Sequence, residues 1–249
     1  MRNALFIHAG KLSGISREPQ AKHGDRVKRF FPLVMLLVVA MPAQSQVRRR
    51  IPNTTEPSAW VSLGIGLFNG NDVSDGNTAS TWDFGRASNP LYRAAFEKAV
   101  SRTASVGLTG TYVRAPFTYI GTSGDNSCGR CAAHLDMMTL GISGHVGGGL
   151  GLHQVLEATA GAIQYRNLER DSDHAALAPV NGNIDPYFTF GYGFGYTVNP
   201  QTEISIVQDF GLAIHERDGL TSEQSNTLTQ RTLRVNLRYG FGNRTIRRR

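Results

Sequence analysis

The segment Phe188-Thr189-Phe190-Gly191-Tyr192-Gly193-Phe194-Gly195-Tyr196-Thr197 leaves this chain little freedom of fold. An aromatic ring stands at every second position with only Gly or Thr between, so an extended chain carries all the rings on one face and none on the other. A helix would scatter them around its axis. The segment is therefore a strand with two chemically different faces.

Seven further runs keep the same period. Residues 59–68 set Val61, Leu63, Ile65 and Leu67 against Ser62, Gly64 and Gly66, and residues 91–100 set Tyr92, Ala94 and Phe96 against Arg93, Ala95 and Glu97. The run from Ser105 sets Val106, Leu108 and Tyr112 against Gly107, Thr109 and Thr111. In 135–146, Met138, Leu140 and Ile142 oppose Thr139, Ser143 and His145; in 150–165, Leu152, Leu156 and Ala158 oppose His153, Glu157 and Thr159. Residues 203–215 turn Ile204, Ile206 and Phe210 away from Ser205 and Asp209, and the last run alternates Leu233, Val235, Leu237, Tyr239 and Phe241 with Arg234, Asn236 and Arg238. The connections alternate as well. Those at 69–90, 120–134, 166–186 and 216–229 are long and polar, whereas 101–104, 147–149 and 199–201 are tight and rich in turn formers. Even strand number with alternating short and long links predicts an all-β, eight-stranded antiparallel up-and-down transmembrane β-barrel, its long loops outside and both termini periplasmic.

Alternation alone does not say whether the apolar face meets lipid or a core. A soluble barrel needs a hydrated outer face, usually rich in Lys and Glu, yet only one lysine, Lys98, follows Gln46. The opposite face is mostly Gly, Ser and Thr, which suits a narrow lumen filled by side chains. In that lumen Arg93, Glu97, Glu157, Asp209, Arg234 and Arg238 are expected to form a structural charge cluster. Tyr92, Tyr112, Tyr196, Tyr239 and Phe241 lie toward strand ends, where interfacial aromatic girdles belong.

The formal charge of +7 sits at the ends of the chain. Setting aside 48–50 and 244–249, residues 51–243 carry 12 Lys+Arg against 17 Asp+Glu, so the folded part is acidic and no nucleic-acid partner is expected. Ahead of it, the basic stretch Arg26-Val27-Lys28-Arg29 precedes an apolar core too short for a spanning helix, which needs about 20 residues. With the small residues Ala43 and Ser45 it reads as a cleaved export signal, and Val27 as the true initiator. The expected organisation is 1–45 extension and signal peptide, 46–57 periplasmic linker, 58–242 barrel and 243–249 basic tail.

On its signal, its eight alternating runs and its final strand from Leu233 to Phe241, the chain resembles the small outer-membrane β-barrel families of the OmpA and OmpX type. The resemblance implies outer-membrane lipid and the barrel-assembly machinery as partners. Relatives often end on an aromatic residue, whereas this chain continues from Phe241 to Arg249.

Cys128 and Cys131, in a long loop of an exported chain, are expected to form a local disulfide. The spacing also fits a redox pair or, with His134, three metal ligands, although Ala132 stands where a c-type haem attachment needs His. His145, His153, Glu157, Ser143, Asp209 and His215 are loose ingredients of catalysis, most of them on the lumen face. No nucleophile-elbow, zinc or phosphate motif accompanies them, and the loop acids Asp72, Asp75, Asp125, Asp171, Asp173 and Asp218 read as solvated charge. The expectation is a non-enzymatic, monomeric barrel without cofactor, catalytic or metal site, serving a structural, surface-interaction or limited, porin-like small-solute role. A lipid A-modifying barrel enzyme and a soluble exported lipocalin-like binding barrel are the alternatives.

Overall fold

The computed structural model describes residues 56–121, 128–179, 184–215, 217, 220–222 and 224–243. The chain divides into the units Met1–Pro52 and Asn53–Arg249, and every described residue belongs to the second. The export signal, most of the linker, Asp125, Asp218 and the basic residues from Arg244 onward lie outside the described residues.

The described residues form ten strands: β1 (Ala59–Gly70), β2 (Val73–Asp75), β3 (Ser80–Asp83), β4 (Asn89–Ala99), β5 (Ala104–Ile120), β6 (Cys131–Val146), β7 (Gly151–Arg170), β8 (Ile184–Asn199), β9 (Thr202–Ile214) and β10 (Thr227–Phe241). Eight of them make the wall. Each pairs antiparallel with the next in the order β1, β4, β5, β6, β7, β8, β9, β10, and β10 returns to β1 in register from Ala59 opposite Phe241 to Gly70 opposite Gln230. Closure leaves this wall without a free edge. The tight curvature is helped by Gly193, whose missing side chain lets the β9 backbone at Ile206 and Val207 press against the strand.

Register turns the sequence pattern into rows around the wall. On β5, β6 and β7 the outward side chains climb from Leu108, Ile142 and Ala160 through Gly110, Leu140 and Ala162 to Tyr112, Met138 and Gln164. Leu140 is 67% exposed and Leu152 75%, and the exposed apolar surface continues around every wall strand. The inward rows at this level are polar, with Ser143, Glu157, Asp209 and Arg234 buried.

Above Tyr112 the two faces exchange character. The sequence pattern predicted an apolar outer face and a polar lumen along each whole strand, and this holds only for the part of the wall nearer the tight turns. Farther along β5 the outward residues are Arg114, Pro116 and Thr118, while Val113, Ala115, Phe117 and Tyr119 point inward and are buried. β7 does the same, with Ile163 and Tyr165 inside and Arg166 outside; so does β10, with Leu228 inside and Thr229 and Arg231 outside. The strands outrun the apolar belt and enclose a hydrophobic core of their own at the long-loop end.

That core has a wall segment that periodicity did not reveal. The first long link reads in the sequence simply as a long polar connection. Instead it folds as the β2–β3 hairpin, with β3 pairing beside β5 beyond the end of β4 (Trp82 opposite Tyr119, Asp83 opposite Thr118). The Ser74 amide donates to the Ser225 carbonyl at 2.8 Å and the Asn71 amide to the Thr229 carbonyl at 3.0 Å, fastening the hairpin side to the chain leading into β10. β2 and β3 thus take over where β1 and β4 stop. Trp82 is 0% exposed, packed against Phe117, Tyr165 and His215, and Leu177 closes the core from the link between β7 and β8.

Candidate functional site

The lumen is filled from its turn end by a single charge network. Arg93 on β4 lies 3.0 Å from Glu157 on β7, and Arg234 on β10 joins the same carboxylate to Asp209 on β9. Arg234 Nη2 also donates to Asp209 Oδ1 at 3.0 Å, and its Nη1 donates to Asn236 Oδ1 at 2.7 Å. Nearer the turn end, Arg238 donates to Glu97 at 2.7 Å, Ser105 donates to the same oxygen at 2.6 Å, and Trp60 lies under the Arg238 guanidinium at 4.2 Å. All six residues assigned to the charge cluster are buried, each at 9% exposure or less. Each comes from an inward position, and small residues make the room: Gly191 and Gly64 stand where a Cβ would collide with the side chains of Asp209 and Asn236.

The network includes residues that the sequence pattern did not bring together. Glu203, at the start of β9, lies 3.7 Å from Arg238, 3.5 Å from His153 and 3.8 Å from His145, while His145 is 3.2 Å from Glu157. Three guanidiniums therefore face four carboxylates, with the two imidazoles set at the fourth. Glu203 shares the inward parity of Ser205 and Asp209, and that parity was its only trace in the sequence.

Between this network and the apolar core lies a chamber of about 20 Å³, lined by Arg93, Thr109, Thr139, Glu157, Tyr187 and Gln230. That is room for roughly one water. Gln230 and Tyr187 are hydrogen-bonded to each other across it. The lumen is shut twice, first by charges and then by the Trp82 core.

The loose catalytic ingredients are all inside. Ser143, His145, Glu157 and Asp209 are buried in the trunk, and His215 is buried at the outer end 2.6 Å from Asp185, with Trp82 and Tyr165 against its ring. Cys128 and Cys131 are joined as a disulfide and pack on the edge of the apolar core. His134 does not join them in a ligand set: its Nδ1 is 2.7 Å from Asp171 and its Nε2 3.8 Å from Glu169. Among the described residues no group of three or more His, Cys, Asp or Glu is arranged to hold a metal ion.

Outside, the long-loop end is polar. A hydrogen bond from Arg170 holds the Asp173 carboxyl below its usual range, and desolvation and then the neighbouring Asp83 raise that of Asp72. Arg130 lies 3.9 Å from Asp83.

Below this polar end, the exposed apolar side chains form a continuous belt: Leu63, Ile65, Leu108, Leu140, Leu152, Phe190, Ile206 and Val235 are each 46% exposed or more. A soluble monomer rarely exposes a contiguous apolar patch beyond a few hundred Å². With every wall strand paired to two neighbours, no backbone group of the belt needs water. The chain is a transmembrane β-barrel. No family model matches it, and no curated protein matches it. Solved structures similar to this barrel include neisserial surface protein A (10% identity, 74% of this chain and 97% of that one, TM-score 0.47) and OprG from Pseudomonas aeruginosa (10%, 76% and 98%, 0.48). Another is AlkL determined in lipid bilayers (13%, 80% and 97%, 0.44). The barrel's own register accounts for its aromatic placement: Tyr92 stands opposite Tyr112 at one border of the belt, and Ala59 stands opposite Phe241 at the other.

Proposed function

We propose that this barrel is a non-conducting outer-membrane protein whose long-loop end forms a rigid surface-interaction platform. The observation that carries this is the double closure of the lumen. A passage role needs a continuous polar path, and the path through this wall is interrupted by salt-bridged guanidiniums and then by an aromatic core. The second closure also supports the platform. Surface loops are ordinarily mobile, but here β2, β3 and the outer ends of β5, β6 and β7 share one core, so the residues displayed above it are held in fixed relation. Acidic and basic groups alternate on that display, including Asp83, Arg130, Arg170 and Asp173.

Planar-bilayer recording tests the seal. The purified, folded barrel inserted into a bilayer is expected to give no discrete conductance steps at high salt and moderate voltage. Sustained, reproducible steps from the folded protein would overturn the reading and restore small-solute passage.

A further inference from the structure

One sector of the outer wall, at the border of the belt, carries charges that the sealed lumen does not use. Register sets Arg114 on β5, Asp136 on β6 and Arg166 on β7 side by side on the outward face. The row directly beneath is Tyr112, Met138 and Gln164, the last of the belt. Both arginines are exposed, and among the described residues neither forms an ion pair. Asp136 between them is already engaged: Tyr112 donates to its Oδ1 at 2.9 Å and Asn167 to its Oδ2 at 2.7 Å. The acids of the next row out are turned toward His134, which lies 3.8 Å from Glu169 and 2.7 Å from Asp171. With strands about 4.8 Å apart, the two arginine backbones stand roughly 10 Å from each other, a span that two long side chains close on one anion. Guanidinium forks match the oxygens of phosphate.

The wall below Arg166 has a complementary shape. Below Arg166 and Gln164, three successive outward residues of β7 are alanines, Ala162, Ala160 and Ala158. Ala160 is flanked by Ile142 on β6 and Phe188 on β8, Ala162 by Leu140 and Pro186, and Ala158 by Gly144 and Phe190. A shallow apolar groove centred on Ala160 therefore runs up the lipid face and ends at Gln164, one row below Arg166. Charge above and a groove below describe an amphiphile, a phosphate with an acyl chain beneath it.

We propose that Arg114 and Arg166 bind the phosphate of an acylated outer-leaflet lipid whose chain lies along the alanine groove. This rests on the outer-membrane reading with the long-loop end outward. A free phosphate uses the arginines but not the groove, and the test separates the two.

The test is native mass spectrometry of the full barrel in zwitterionic detergent, titrated with lipid A or with lipid A stripped of its phosphates. The wild type is expected to retain the phosphorylated lipid about tenfold more strongly. R114Q/R166Q should lose that preference, and A160F, which fills the groove and leaves the arginines in place, should weaken retention of the phosphorylated lipid. R231Q removes an outward arginine from β10, where it stacks over Phe210, and should bind as the wild type does. The proposal is overturned if R114Q/R166Q keeps the wild-type preference, if R231Q loses as much, or if inorganic phosphate displaces the lipid completely. Heat-modifiable gel mobility, run on each variant, reports separately on the barrel itself: its absence in the wild type would count against the membrane reading and not merely against this site.

Discussion

Replacing Arg234 with leucine is expected to destabilise the folded barrel by about 3–5 kcal/mol, the range found when one partner of a buried ion pair is removed. The reason lies in what remains. Arg234 serves Glu157, Asp209 and Asn236 together, so its loss strands the Asp209 carboxylate in a lumen with room for little water and leaves Glu157 to Arg93 and His145. Arg234→Lys should recover only part of the loss, because a single ammonium cannot reproduce the fork that holds two acids. Adding D209N to R234L should recover more, since a neutral amide replaces the carboxylate that has lost its cation, while Glu157 keeps Arg93. Urea unfolding in lipid vesicles, followed by tryptophan fluorescence and gel mobility, measures each step. If R234L unfolds within about 0.5 kcal/mol of the wild type, the range of an ordinary surface substitution, the network is not what holds the trunk together.

Trp82→Ala is expected to be of similar size, about 3–5 kcal/mol for truncating a fully buried aromatic, but confined to a different part of the molecule. Trp82 touches Phe117, Tyr165 and His215 above the belt and no member of the lumen network. Hydrogen exchange should therefore lose protection in β2, β3 and the outer ends of β5, β6 and β7, while β9 and the membrane part of β10 keep theirs. Equal loss throughout would show that platform and trunk unfold as one unit. No change would show that the Trp82 core does not order the loops.

Much of the architecture was legible in the residues. The ring spacing from Phe188 to Tyr196 is incompatible with a helix, and parity alone put Arg93, Glu97, Glu157, Asp209, Arg234 and Arg238 inward. What escaped had two causes. The exchange of faces above Tyr112 is written in the sequence as a change of parity, with Leu108 and Tyr112 followed by Val113, Ala115 and Phe117. A search for alternation passes over it, because alternation resumes at once on the other parity, where the medium outside changes from hydrocarbon to water. The β2–β3 hairpin is too short for any period to show, and its pairing depends on Thr118 and Tyr119 of β5, far along the chain. Glu203 escaped similarly. Its partners His145, His153 and Arg238 come from three other strands, and nothing local distinguishes it from a charge at a strand end.

The exchange of faces is also the most direct point of test. Nitroxide labels placed one at a time at Leu108, Tyr112, Pro116 and Thr118, all outward on β5, can be read in a bilayer by their relative access to oxygen and to a water-soluble nickel chelate. The lipid phase should surround Leu108, the border should fall at Tyr112, and Pro116 and Thr118 should be in water. Water access at all four positions would describe a soluble barrel, and lipid access as far as Thr118 would remove the apolar-cored platform; either result contradicts the account.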